Sequence, residues 1–500
     1  MLLQIRNLKI LPQSVIETEY VLFGLDRSTP SPRLVILSKT EEDAFLSQWE
    51  GEKELWEGHS LLLGPTNAKH AKLLRTYFPW LCPQPVGLRT SAGLGDRLGL
   101  ATPGHIRAIR ATGERLMPVL AQQSIREMSR TQRTPQQVMD DALWGVFGEG
   151  WKKGFGSDAD HLKTLEDFDA CISAGFNGFT LDPGDHVENE AENLPSEILA
   201  SRFETLPWDK LEISPKDFLR RYRDRTFSVE NGKIRIEEEK VARTGVKYGH
   251  AIAQVKEWFY YLTEKMGGKP FDLEISVDET ESPTSPEEHL IIVLELSRLG
   301  VKWQGLAPRF IGRFEKGVDY IGDLEAFRKE FALHASIARE FGPYKLSLHS
   351  GSDKFSIYPI VAEETQGLVH LKTAGTSYLE ALRTIAELDP VFFRSIYAFA
   401  CERYETDRAS YHVSAELGKA PEPKKLSDTQ LLRLLDDFHA RQILHVTFGS
   451  VVTAQSPHGR FQFRDRLLEL LNTHLDRYTE HVESHFIRHL KPFAEVAQSG

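Results

Sequence analysis

A (β/α)8 barrel, the TIM-barrel fold, is the architecture this sequence predicts, and three observations predict it. Apolar runs of strand length recur eight times from about residue 95: Arg97–Ala101, Pro118–Gln123, Gly175–Asp182, Phe271–Val277, Val301–Ala307, Lys345–His349, Leu368–Thr373 and Gln442–Phe448. Most are followed by a polar cluster and then a helical pattern, the alternation that parallel strands with outer helices require. A doubly wound open sheet could hold the same units, but no GxGxxG turn follows the first strand to support dinucleotide binding.

The elements follow in order. Residues 1 to about 90 carry short strand candidates, Tyr20–Leu25 and Arg33–Leu37, and are expected to form a cap at the side of the barrel, leaving 91–500 as the barrel domain. Gly156 to Thr164 reads as a charged turn before a helix, because Thr164-Leu165-Glu166-Asp167 is a capping-box pattern and Leu165, Phe168 and Ile172 make an apolar face ending near Gly175. Roughly ninety residues separate the third and fourth strands, far more than an ordinary connection. An insertion is therefore expected at about 187–268, with the charged stretch Gly232–Lys240 and a long helix over Val246–Met266. Lys419 to Lys425 reads as a solvated linker before a helix opened by Ser427, and helices close the chain.

Composition limits the function. The chain has 500 residues, 41% of them hydrophobic, enough for a large core, and a net charge of −11, which argues against nucleic acid and anionic membranes as partners. Cys82, Cys171 and Cys401 are isolated, so neither a disulfide framework nor a zinc–thiolate site is supported. The N-terminal stretch from Met1 to Arg6 lacks the pattern of a signal peptide, and no run has the length of a membrane span. A soluble, cytoplasmic protein is expected; a homo-oligomer is compatible with the sequence.

Polar residues at barrel strand ends converge on one mouth. Here they are numerous: Gln122 and Gln123, Asp182, Glu274 with Ser276 and Asp278 at alternate positions, Lys302 and Gln304, Arg309, Ser347 and His349, and His370 with Lys372. Hydrophobic layers would suffice for a barrel interior, so this polarity calls for a ligand. The imidazoles of His161, His349 and His370 come from separate loops and could meet around a divalent metal such as Zn, Mn, Co or Ni, although each could equally be a hydrogen-bonded core residue. Asp160 and Glu274 could flank a bound sugar as an acid–base pair; the plainer alternatives are a helix cap for Asp160 and an ion-pair partner of a barrel lysine for Glu274. Gln122, Gln123, Lys163, Asp182, Arg309, Lys354 and Lys372 are the natural substrate contacts, and cations in an acid-lined mouth suggest a carboxylate-bearing sugar.

Several long stretches carry a family resemblance. Gly95–His105, Pro118–Met128, Asp158–Thr164, Leu348–Lys354, Leu306–Phe310 with Lys316–Tyr320, and Lys372–Tyr378 resemble the tagaturonate epimerase family, with a match running from about residue 90 to 450. The resemblance implies a divalent-metal-dependent epimerase that interconverts D-tagaturonate and D-fructuronate by inversion at C3 in uronate numbering, C4 in ketose numbering, with tagatose and fructose as related neutral substrates. It places the acid–base pair on Asp160 and Glu274 and metal ligands on His161 and His349. His370 is taken as the third ligand, with Gln304 next and otherwise a substrate contact. Because C3 is β to the ketone its C–H is not acidified, so either a retro-aldol cleavage or a proton transfer through two carboxylates is implied, with a lean toward the metal and two-carboxylate arrangement. Another metal-dependent sugar isomerase, a class II-type aldolase on the same barrel, and a non-catalytic sugar-acid-binding protein are the competing readings.

Overall fold

Alternation of apolar side chains builds the first layer of the molecule. The computed structural model describes residues 2–5, 7–39 and 45–497; Met1 and Arg6 of the N-terminal stretch lie outside the described residues. Strands β1 (Ile16–Glu17), β2 (Val21–Asp26), β3 (Arg33–Ser38), β4 (Glu52–Trp56) and β5 (His59–Pro65) form an antiparallel sheet in the order β1-β2-β3-β5-β4. Successive side chains on a strand face opposite ways. Phe23, Leu25, Leu34 and Ile36 therefore join the main core, while Leu22, Val35, Leu37, Leu61 and Leu63 form a second, smaller one with Leu2, Ile5 and Ile10. The sheet caps the side of the barrel, with Leu25 packed near Gly148 at the end of the helix Pro135–Gly148.

The barrel itself is closed by eight parallel strands: β6 (Ser91–Gly93), β7 (Met117–Ser124), β8 (Gly156–Leu162), β9 (Gly178–Leu181), β12 (Asp272–Val277), β13 (Gly305–Pro308), β14 (Lys345–Leu348) and β15 (Val369–Lys372), which pairs back with β6; the intervening β10 (Arg225–Val229) and β11 (Gly232–Ile236) form a separate hairpin. Their near-continuous burial is what strands sandwiched between a filled interior and outer helices require. Between β9 and β12 lie short helices, the hairpin and the 29-residue helix Glu238–Met266.

Two of the eight expected strands and one expected turn are corrected. Arg97–Ala101 is a loop, tied through the Asp96 carboxylate to the backbone N–H groups of Leu98, Gly99 and Ala101, and the first barrel strand is the short β6 just before it. Gly156–Leu162 is β8 and not a turn: its charged side chains are tolerated in a strand because they face the polar interior of the barrel. Gln442–Phe448 belongs to the helices Phe438–Val446 and Phe448–Thr453, its apolar residues packing around a helix and not across a sheet. The two errors of inclusion and two of omission cancel in the count. The capping box at Thr164 opens the helix Leu165–Ala174 as read, and Gly175 ends it at φ +95°, a conformation that favours glycine.

Candidate active site

The C-terminal ends of the barrel strands open into a cavity of about 570 Å³ lined by Asp160, His161, Asp278, Glu279, His349 and Lys372 on its floor, with Arg97, Arg126, Arg309, Arg313 and Lys316 on its walls. Strand β8 supplies the floor. Asp158 and Asp160 are two residues apart and share its inward face. His161 would point outward on a regular strand, but it has a φ of +54° where the register against β9 slips between Ala159 and Leu162, and this bulge turns it into the mouth.

Lys372 organises the acids. Its Nζ lies 2.6 Å from Asp160 Oδ1, 2.9 Å from Asp158 Oδ2, 2.8 Å from Glu274 Oε1 and 2.7 Å from Thr180 Oγ1, all buried. Burial alone would neutralise Asp160, but the Lys372 ammonium and the two imidazoles hold its carboxyl below the usual range; Glu274 is likewise held ionised against burial, first by Lys372 and then by its bond to His349. Asp158 goes the other way. Burial raises it, and with Asp160 and Glu274 close by as further negative charges, one ammonium does not offset the cost.

Two imidazoles stand over this cluster, their ring centres 5.0 Å apart. His161 Nδ1 is 2.9 Å from Asp182 Oδ2, and Asp182 is itself fixed by the Gly184 N–H. His349 Nε2 is 2.5 Å from Glu274 Oε1 and its Nδ1 is 3.2 Å from Asp278 Oδ1. Burial disfavours charge on both rings, yet the surrounding carboxylates prevail, Asp160 and Asp182 pushing His161 up to about 9 and Asp278 leading the rise of His349 to about 10. One donor atom each from Asp160, His161 and His349 lie within 4.8 Å of one another, a carboxylate–imidazole set of the kind that holds a divalent metal.

The other expected site residues separate into those near this cluster and those away from it. Gln122 donates to Asp160 Oδ2 at 3.3 Å and leaves its own Oε1 without a partner, whereas Gln123, on the opposite face of β7, accepts from Arg133. Lys163 sits on the rim, 3.1 Å from Asp185 and 3.4 Å from Asp182. Arg309 lines the cavity.

Three of the expected site residues lie away from this cluster. His370 shares the inward face of β15 with Lys372 but lies one layer deeper, its Nδ1 2.8 Å from Ser91 Oγ, with burial lowering it to about 3; Asp160 takes the place beside His161 and His349 that was expected of it. Gln304 precedes β13 at the opposite end of the barrel, where its side chain accepts the Leu273 N–H at 2.8 Å. Lys354 is fully buried away from the cavity, its Nζ donating to the backbone carbonyls of Glu315, Val318 and Ser352. Conversely, Asp158, Glu279, Arg126 and Lys316 belong to the site without having been singled out as ligands or catalysts. Asp158 was within reach of period-two reasoning once β8 is read as a strand; Lys316 carries no such signal, because a loop residue has no periodicity.

A closed parallel barrel with a buried acid cluster, paired imidazoles and a cation-walled cavity defines a (β/α)8-barrel enzyme for a small polar substrate. The chain belongs to the tagaturonate epimerase family, whose model matches residues 11–493. It is 43% identical over 486 residues to a tagaturonate/fructuronate epimerase of Thermotoga maritima, covering 97% of both chains. The native crystal structure of a fructuronate-tagaturonate epimerase from Cohnella laeviribosi is 36% identical and superposes with a TM-score of 0.90 over 97% of this chain and 96% of that one; a glycerol complex of the same enzyme gives 0.90 at 35% identity. The chain is thus an epimerase, of the isomerase class. Among the described residues no helix is long and apolar enough to cross a membrane.

Proposed function

We propose that the chain interconverts D-tagaturonate and D-fructuronate by inverting C3, with a divalent cation held by Asp160, His161 and His349. Tagatose and fructose, which differ at the terminal carboxylate, are the neutral substrates this reading allows. The names of the two relatives supply the substrate pair, and the donor set supplies the fit: an oxygen and two nitrogens within 4.8 Å, with Asp182 behind His161 as an orienting partner. A cation at these donors would supply Lewis acidity toward the ketone oxygen and come from the group that suits imidazole and carboxylate together, Zn, Mn, Co or Ni.

One observation carries the choice of chemistry. Asp160 and Glu274 both contact the same ammonium, that of Lys372, which favours reading them as one cluster over reading them as two groups on opposite faces of a sugar. Proton exchange at C3 through two carboxylates needs one on each face, whereas a retro-aldol route needs a single base. We therefore assign Asp160 to the donor set and Glu274 to proton transfer. Glu274 lies just behind the cavity lining, in contact with His349 and Lys372, its side chain 11% exposed. It accepts the proton of the C3 hydroxyl as C3–C4 breaks; C3 becomes an aldehyde and the bond's electron pair passes to C4 and the C5 carbonyl. A half-turn of the aldehyde presents its other face, C3–C4 re-forms, and the new C3 alkoxide recovers the proton from Glu274. Lys372 keeps Glu274 and Asp160 ionised before the cycle begins, and the Gln122 amide, which donates to Asp160 Oδ2, helps to hold that carboxylate in place.

The test is NMR of D-fructuronate incubated with the chain in D2O. The C3 epimer should accumulate without deuterium at C3, and activity should vanish on chelation and return with Zn, Mn, Co or Ni. Deuterium at C3 would defeat the retro-aldol assignment, and no epimer at all would defeat the function.

A further inference from the structure

Six lysines and arginines line the cavity, and most are already committed to carboxylates. Arg97 gives both Nε and Nη2 to Glu127 Oε1, at 2.9 and 2.6 Å, and stacks its guanidinium 3.6 Å over Phe448. Arg126 is 3.2 Å from Glu279, Arg313 is 3.4 Å from Glu315 on the outer rim with 60% of its side chain exposed, and Lys372 lies among three carboxylates. Lys316 and Arg309 remain. Both line the cavity, both come from the loop after β13, and among the described residues no ion pair satisfies either. Among the described residues, the one side-chain partner of the Lys316 ammonium is a neutral hydroxyl, Ser350 Oγ at 2.9 Å.

That hydroxyl fixes where Lys316 stands. Ser350 follows His349 directly and has a φ of +48°, so its side chain turns back to the mouth just above the imidazole that touches Glu274. In a hexuronate the carboxylate carbon is two bonds from C3. A cation that binds the carboxylate must therefore stand close to the group handling C3, and a rim cation such as Arg313 is less well placed than one anchored beside His349. A carboxylate arriving there would find an ammonium with two free donor positions and a guanidinium with its fork unused, which is charge-assisted recognition without the breaking of an internal pair.

We propose that Lys316, with Arg309 of the same loop, binds the carboxylate of an acidic sugar and so determines the preference for a sugar acid over the neutral ketose. This rests on the epimerase reading for the direction in which the sugar lies, but its test does not need turnover. The full chain is titrated calorimetrically with galactonate, a six-carbon sugar acid lacking the ketone, and with galactitol, its neutral counterpart.

The wild type should bind galactonate the more tightly. Lys316→Met should weaken galactonate about tenfold or more, the worth of one charge-assisted contact, with galactitol affinity unchanged. Lys316→Arg should retain most of the preference, and Arg309→Met should weaken galactonate in the same selective way. With tagaturonate, Lys316→Met should raise KM more than it lowers kcat. Equal loss of both ligands, wild-type galactonate affinity in Lys316→Met, or no preference in the wild type would each overturn the assignment. Selective galactonate loss in a chain that does not epimerise fructuronate would sink the epimerase reading and leave this subsite standing; epimerisation with unaltered galactonate binding in Lys316→Met would do the reverse.

Discussion

Asp160 and His161 are neighbours in sequence, and both side chains face the cavity because His161 sits at φ +54° in the bulge of β8. A regular strand would present only one of them. The bulge makes a carboxylate and an imidazole available from one strand end, and Asp182, reached through His161 Nδ1, fixes the ring that would otherwise be free to rotate.

Removing that support tests the donor set. Asp182→Ala should lower metal affinity by roughly 10- to 100-fold, the usual cost of losing a partner behind a ligating histidine. Metal titration of the purified chain checks it. Unchanged affinity would take His161 out of the donor set.

The two acids on Lys372 should separate by phenotype. Glu274→Gln is expected to keep bound metal near the wild-type stoichiometry while turnover of fructuronate falls by about 100-fold or more, since one acid–base group is lost. Asp160→Asn is expected to lose metal as well as activity. Elemental analysis alongside rate measurement distinguishes them, and the opposite pattern would exchange their roles.

Lys372 should also matter for stability. Lys372→Met leaves Asp158, Asp160 and Glu274 buried without their shared cation, a change of the kind that costs about 3 to 5 kcal/mol. Denaturant unfolding at pH 7 measures it. Adding Glu274→Gln should recover part of the loss by removing a carboxylate that Lys372 otherwise holds ionised, and an equal loss in the double variant would mean the cluster is not electrostatically coupled.

Acid should weaken the fold through buried neutral histidines. His105 packs its ring 4.5 Å from that of Phe486, neither of its nitrogens has a hydrogen-bond partner among the described residues, and burial lowers it from the ordinary 6.5 to about 4. A depressed value means the unfolded chain takes up the proton first. The stability from this group is complete above pH 6.5 and declines as pH falls toward 4, by at most about 1.4 kcal/mol per unit. His334 and His489, lowered to about 3, add slopes of the same sign. His105→Leu should therefore unfold with a visibly flatter pH dependence between 6.5 and 4 than the wild type; parallel curves would show that His105 does not titrate there.

Much of the site was legible, and the reasons it was only partly so are specific. Glu274 and Asp278 could be placed on one face because a strand alternates, and Lys372 and His370 likewise; but alternation says nothing of depth, which is why His370 fell one layer below the cavity. Lys354 looked like a ligand contact because it follows His349 in a polar loop. Its three carbonyl partners come from two separate stretches, the segment Glu315–Val318 and its own loop at Ser352, and no local pattern announces such an arrangement.

Apolar periodicity, capping residues and the crowding of acids and imidazoles at strand ends determined the barrel, the helix from Leu165 and a polar mouth built around Asp160, His161, Glu274 and His349. These are local properties, fixed by backbone geometry and by the exclusion of apolar side chains from water. Tertiary structure decided the rest: that β8 is a strand with one bulge, that a single ammonium serves three carboxylates, that Asp160 and not His370 stands beside His161 and His349, and that Lys316 faces the cavity with no carboxylate partner among the described residues. Each depends on which strands and loops meet in space. Electrostatic interactions act over a few ångströms irrespective of separation along the chain, and only the closed barrel brings β8, β12, β14 and β15 within that reach.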